Sequence, residues 1–106
     1  MPKALVVLCT CPDNDTATTL SKHLLTEHLA GCINVIPAVR SLYLWQGALC
    51  EDSELQLVIK TTAERYAALE AAILKHHPYD TPEIIALAVE KGSADYLNWL
   101  AEVTHD

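Results

Sequence analysis

His76 and His77 stand side by side and run directly into Pro78-Tyr79-Asp80-Thr81-Pro82-Glu83. Neutral imidazole is a common metal ligand, so two in a row are a candidate for metal chemistry. Each proline disfavours α conformation in the residue before it, which predicts His77 and Thr81 extended while His76 still closes a helix. The pair therefore falls in an irregular corner of the kind where ligands and metals are met. The plainer alternative is a pair of surface imidazoles at the negative end of a helix dipole. Adjacent helical residues do not face the same way, so both can hold one ion only if the Pro78 boundary turns His77 back.

The other candidate ligands are the cysteines at 9, 11, 32 and 50. A thiolate with one or two imidazoles suits copper or zinc, whereas hard cations want carboxylates. Copper is the sharper expectation, with zinc or another divalent cation behind it. The spacing Cys9-x-Cys11 has no second Cys-x-x-Cys pair beside it, which argues against a closed structural zinc site.

Bulk properties narrow the setting. A chain of 106 residues is one domain, with room for its own core. Hydrophobic residues make up 51% against 20% charged, high for a small monomer, so part of the apolar surface is expected to lie between subunits. A formal charge of -7 and no lysine-arginine stripe exclude nucleic acid as a partner. The apolar run Ala4 to Cys9 is too brief for a signal-peptide core or a membrane span, so a cytoplasmic protein with no membrane partner and with reduced thiols is expected. Cys32 reads as an ordinary buried core thiol.

The elements that must position these groups follow from periodicity. Ala4 to Cys9 fits a covered strand. Turn chemistry from Cys11 to Thr16 precedes Ala17, Leu20, Leu24, Leu25 and Leu29 at helical spacing, a helix of about four turns that Gly31 would close. His23 and His28 belong to its face or flank rather than to a ligand set. Cys32 to Trp45, the turn at Gly47 and the alternating Glu54 to Lys60 form a long hairpin. Pro37 marks an edge or bulge in it, and its open edge invites another subunit. Thr61 and Glu64 have capping-box spacing before the stripe Tyr66, Leu69 and Ile73, which ends near His76. Ile84 to Val89 is a last apolar strand. Gly92-Ser93 starts a short helix carrying Tyr96, Leu97, Leu100 and Val103, with Trp99 on its flank.

Strand, helix, strand, strand, helix, strand, helix is the α+β ferredoxin-like split βαβ plan (βαββαβ) with an extra C-terminal helix. Right-handed crossovers then bring the end of the first strand, the hairpin tip and the loop into the last strand to one end of the sheet. Cys9, Cys11, Cys50, His76 and His77 are gathered there, with Cys32 at the other end.

The stretches Val6-Val7-Leu8-Cys9-Thr10, Cys32-Ile33-Asn34-Val35-Ile36-Pro37, Ser41-Leu42-Tyr43-Leu44-Trp45-Gln46-Gly47, Ile59-Lys60-Thr61-Thr62, His77-Pro78-Tyr79-Asp80-Thr81-Pro82-Glu83 and Tyr96-Leu97-Asn98-Trp99-Leu100 together resemble the CutA divalent-cation-tolerance family. The resemblance covers nearly the whole chain. It implies a ferredoxin-like homotrimer, similar in shape to the PII signalling proteins, that is not an enzyme and serves tolerance to divalent cations, copper especially. In bacterial members the proposed copper ligands match Cys9, His76 and His77. Cys11 departs from the family pattern, where a small nonpolar residue is common, and Cys50 lies just past the hairpin turn, so either thiol could add to or compete for the metal.

Two other readings stand beside that one. A PII-like small-molecule sensor would use an inter-subunit cleft formed by groups such as Tyr43, Trp45, Lys60, Glu83 and Trp99, although no Gly-rich phosphate loop is present. In the plainer alternative both tryptophans pack an interface and Lys60 with Glu83 is a strand-flanking ion pair. An enzyme would use Cys9 as nucleophile and a histidine as base, but the sequence offers no orienting residue or oxyanion motif.

Overall fold

The computed structural model describes residues 3–105. The chain runs β1 (Ala4–Cys11), α1 (Asn14–Thr26), β2 (Cys32–Trp45), β3 (Ala48–Thr62), α2 (Ala63–His76), β4 (Ile85–Ala88) and α3 (Ala94–Val103). The four strands form one antiparallel sheet in the order β2-β3-β1-β4, the split βαβ plan with its additional C-terminal helix.

Alternation along β1 decides which side of the sheet is covered. Val7, Cys9 and Cys11 face α1 and α2 and are buried with Leu57 and Ile59 of β3 against Leu20, Leu24, Leu69 and Ile73. The two helices run antiparallel: Arg65, in the first turn of α2, donates to the carbonyls of Glu27 and His28 just past the end of α1. On the opposite face, Leu8 pairs with Ile85 and Val6 with Leu87. Ile85 and Leu87 are 52% and 56% exposed, so this face is apolar without being covered there.

Local chemistry differs from the sequence expectation at four points. The first strand runs on through Cys11, which pairs with Leu55 of β3 instead of opening the turn. The first helix ends at Thr26 rather than at Gly31, because His28 takes a left-handed turn (φ 58) and the Leu29 N–H donates to the Leu24 carbonyl at 2.9 Å. Leu29 and Ala30 keep their apolar contacts as buried residues beyond the helix. No capping box opens α2: Thr61 is still in β3, and its Oγ1 donates to the Leu29 carbonyl at 2.6 Å, while Thr62 is the N-cap without a side-chain bond. Cys32 is only half-buried, and the cysteines of the core are Cys9 and Cys11.

The hairpin is long, as expected, with Gln46 and Gly47 both at positive φ (49 and 80), the backbone of a tight two-residue turn. The register shifts between Ile36 and Val39, and Ala38 sits at φ 59 beside Pro37. This is the bulge the proline predicts, since it cannot donate to the ladder. The last β1 pairing is Cys11 with Leu55, so β2 and β3 continue without a third strand. They form an arm about 23 Å long at roughly 3.3 Å per residue, which makes the molecule elongated, 44 × 25 × 22 Å. Leu44 and Leu49 near its tip are 76% and 74% exposed.

Candidate metal centre

Cys9 and Cys11 lie two apart on β1, so both side chains project to the helix-covered face. Both are fully buried. The third group arrives from the exit of α2. Pro78 disfavours helical backbone before it, and His77 is accordingly extended (φ -78, ψ 138), its ring buried beneath the helix end. One ring nitrogen of His77 and the two Sγ atoms all lie within 4.8 Å of one another. Tetrahedral ligation with metal–sulfur bonds near 2.3 Å sets sulfurs about 3.8 Å apart, so a metal would ask the trio to close only slightly.

His77 is held from both sides. Its Nδ1 accepts the Tyr79 N–H at 3.1 Å, which makes Nε2 the protonated nitrogen, and Nε2–H donates to the Thr10 carbonyl at 2.8 Å. The Tyr79 ring packs on the imidazole at 4.8 Å between centroids, and its hydroxyl donates to the buried Glu54 at 2.7 Å. Burial, then that bond to the carboxylate, pushes the Tyr79 phenol well above its ordinary range.

The two thiols divide their protons unequally. Accepting a hydrogen bond from the Cys9 thiol lowers the Cys11 thiol below its ordinary value, against the opposing effect of burial. Donating that bond, followed by burial and the charges of Cys11, Glu83 and Glu54, pushes Cys9 far up.

Of the residues singled out by sequence, the fold brings Cys9 and His77 together and adds Cys11. Strand alternation is the signal that includes Cys11, since it shares the face of Cys9. His76 goes elsewhere: it is exposed, and its ring lies against His23 of α1 with centroids 4.4 Å apart. Cys50 is on the arm, five residues beyond the Leu55 that faces Cys11 and so about 16 Å along β3. Lys60 and Glu83 do not pair; Lys60 donates to Asn34, and Glu83 accepts from Gln56 at 3.2 Å.

A cleft of about 730 Å³ opens beside the trio, between the arm and the α2–β4 connection, walled by Tyr43, Trp45 and Tyr79 with Glu54 and Glu83. It contains three of the residues expected of a small-molecule cleft. Lys60 and Trp99 are not among them, and Trp99 packs on Tyr96 within α3 at 5.5 Å.

Residues 5–103 match the family model described as CutA1 divalent ion tolerance protein. The chain belongs to the CutA1 family. It is 46% identical over 100 residues to the divalent-cation tolerance protein CutA of Citrobacter koseri, spanning 94% of this chain and 87% of that one. The CutA of Salmonella newport matches to the same extent. Among solved structures, the divalent cation tolerance protein from Thermus thermophilus superposes with a TM-score of 0.94 at 43% identity, covering 96% of this chain and 99% of that one. CutA1 from Oryza sativa gives 0.96 at 35% identity, with 99% and 96% covered. Fold and family membership thus rest on the whole domain, whereas Cys9, Cys11 and His77 form a detail inside it.

Proposed function

We propose that this CutA1-family protein acts in divalent-cation tolerance as a non-enzymatic, cytoplasmic homotrimer that binds a soft or borderline metal ion, copper foremost, through Cys9, Cys11 and His77. The observation that carries the reading is the buried cluster of two sulfurs and one imidazole nitrogen within 4.8 Å. Sulfur and imidazole donors select copper or zinc over hard cations. Two thiolates with a neutral imidazole also balance a 2+ ion, so the loaded site carries no net charge, which matters where burial penalises uncompensated charge.

The hydrogen bonds favour one mode of ligation. Binding through Nδ1 forfeits only the Tyr79 N–H and leaves Nε2–H on the Thr10 carbonyl, the outer contact that orients a ligating histidine. Binding through Nε2 would forfeit both bonds and require the other tautomer. The ligand set differs from the one implied by family resemblance in having Cys11 where His76 was expected.

Support for a trimer is the apolar surface left on one chain: Leu44 and Leu49 on the arm, Ile85 and Leu87 on the open face. Such patches mark contacts between proteins, and the unpaired edges of a two-stranded arm add to them. Sedimentation equilibrium is expected to give three times the 11.6 kDa chain mass. A second reading, a small-molecule sensing module, is favoured by the aromatic and acidic cleft beside the trio.

Copper titration by calorimetry on reduced, metal-free protein tests the main reading. Saturable binding is expected in the parent and in His76→Ala, with loss in Cys9→Ser, Cys11→Ser and His77→Ala. Binding that survives in those three would remove the site and leave the cleft as the functional candidate.

A further inference from the structure

His23 and His76 come together by a route that sequence spacing hides. His76 is the last residue of α2, and His23 is in the last turn of α1. Between antiparallel helices those positions are well separated along the axis. Helical side chains, however, lean toward the N-terminus of their own helix. In an antiparallel pair the two leans oppose each other, so His23 and His76 reach toward one another across the groove. Their ring centroids end 4.4 Å apart with the planes inclined at 56°.

These are not core imidazoles. His76 is exposed and His23 half-buried, so water reaches both. Other histidines spend their nitrogens on the fold: His77 uses both, and His28 Nδ1 meets the Val103 carbonyl at 3.3 Å. Among the described residues, the rings of His23 and His76 have each other as neighbours and no hydrogen-bond partner that fixes a nitrogen. Their inclination is not that of a parallel stack. Two imidazoles each holding one metal through a bond of roughly 2.0–2.1 Å need their rings about as close as the 4.4 Å between these centroids.

We propose that His23 and His76 form a second metal site, an open bis-imidazole clamp for a borderline divalent cation such as nickel, zinc or copper(II), bridging α1 and α2. Water fills the remaining coordination positions. The site differs from the buried trio in donors (two nitrogens against two sulfurs and a nitrogen) and in access. It stands independently of that trio, because His76 and His77 leave the helix end in different directions on either side of the cap. The two consecutive histidines thus serve two sites rather than chelating one ion.

Nickel tests the assignment, since imidazole binds it well and the cysteine variants control for thiolate capture. Metal-free reduced protein is titrated with Ni²⁺ by calorimetry in the Cys9→Ser/Cys11→Ser background, where the trio cannot contribute, with and without His23→Gln or His76→Gln. The expected result is saturable binding in that background and a loss of at least roughly tenfold in affinity on adding either histidine variant. No saturable binding in the background, or affinity on adding His23→Gln within about twofold of it, overturns the site. A second readout needs no substitution: substoichiometric paramagnetic Ni²⁺ is expected to broaden the ring-proton signals of both His23 and His76 in the parent. Broadening of His76 without His23, or of His28 or His105 instead, overturns it equally.

Discussion

The imidazole of His77 donates from Nε2 to the main-chain carbonyl of Thr10 at 2.8 Å, tying the exit of α2 to the end of β1 across the sequence. Thr10 lies between Cys9 and Cys11, so this bond fixes the ring beside the two thiols. His76, one residue earlier, has no such anchor and lies at the surface. Replacing His77 by alanine strands a partly buried carbonyl and forfeits the Tyr79 contact, a loss of about 1–3 kcal/mol. His76→Ala is expected to change stability by less than about 0.5 kcal/mol, as surface substitutions usually do. Urea unfolding of the metal-free variants separates the two, and equal effects would mean that the Thr10 bond does not hold the corner.

Copper binding is expected to release protons. The neighbouring Cys11 sulfur, then burial, pushes the Cys9 thiol far up, yet a thiol ligates as the thiolate. The proton must leave when the ion enters, so affinity falls as pH falls. Calorimetry in buffers of different ionisation enthalpy reads the number released. The parent should release more protons than Cys9→Ser at the same pH, and equal release would show that Cys9 is not a ligand.

Much of this architecture is legible in the residues, and the exceptions have definite physical causes. Pro78 and Pro37 act through local backbone sterics, so the extended His77 and the hairpin bulge follow from sequence. The positions of His76 and Cys50 do not. Topology brings both to one end of the sheet, but that end is deep: side-chain lean carries His76 to another helix, and the arm carries Cys50 away along β3. Thr61 looked like a cap because its spacing to Glu64 is right, but the Leu29 carbonyl, buried and distant in sequence, claims its hydroxyl instead. Cys11 reads from sequence as a turn thiol at the same end of the sheet; only the continuation of β1 through it puts it on the Cys9 face, and the distance that makes it a ligand candidate depends on where α2 ends.

The alkaline limb of the stability curve should report on the tyrosines. All four, Tyr43, Tyr66, Tyr79 and Tyr96, are raised above the ordinary phenol value of 10.0. The hydrogen bond to Asp52 is the largest cause at Tyr43, which is pushed up to about 12. An unfolded chain begins to lose these protons near pH 10 while the folded one keeps them. Their contribution is therefore complete below pH 10 and falls as pH rises through about 12 for Tyr43. Tyrosinate absorbance should show one phenol returning to the ordinary range in Asp52→Asn. An unchanged titration would mean that the Tyr43–Asp52 contact does not persist in solution.

Gly31 is where α3 docks, and its missing side chain can be tested against a specific neighbour. A Cβ there would meet Leu100 Cδ1 at 2.6 Å and Val103 Cγ2 at 2.9 Å. Leu100 is 1% exposed and cannot swing into solvent, so the helix itself must shift. Gly31→Ala should cost about 1–3 kcal/mol, the usual penalty for overpacking. Leu100→Ala should cost about 2–5 kcal/mol by leaving a cavity. The two losses are not expected to add, because the alanine at 31 would occupy space that the leucine vacates. A double-mutant cycle by urea unfolding should give a favourable coupling of about 0.5–3 kcal/mol, as for residues in direct contact. Strict additivity would show that α3 sits farther from Gly31 than the close approach requires, and that its docking depends on other contacts, such as His28 with the Val103 carbonyl.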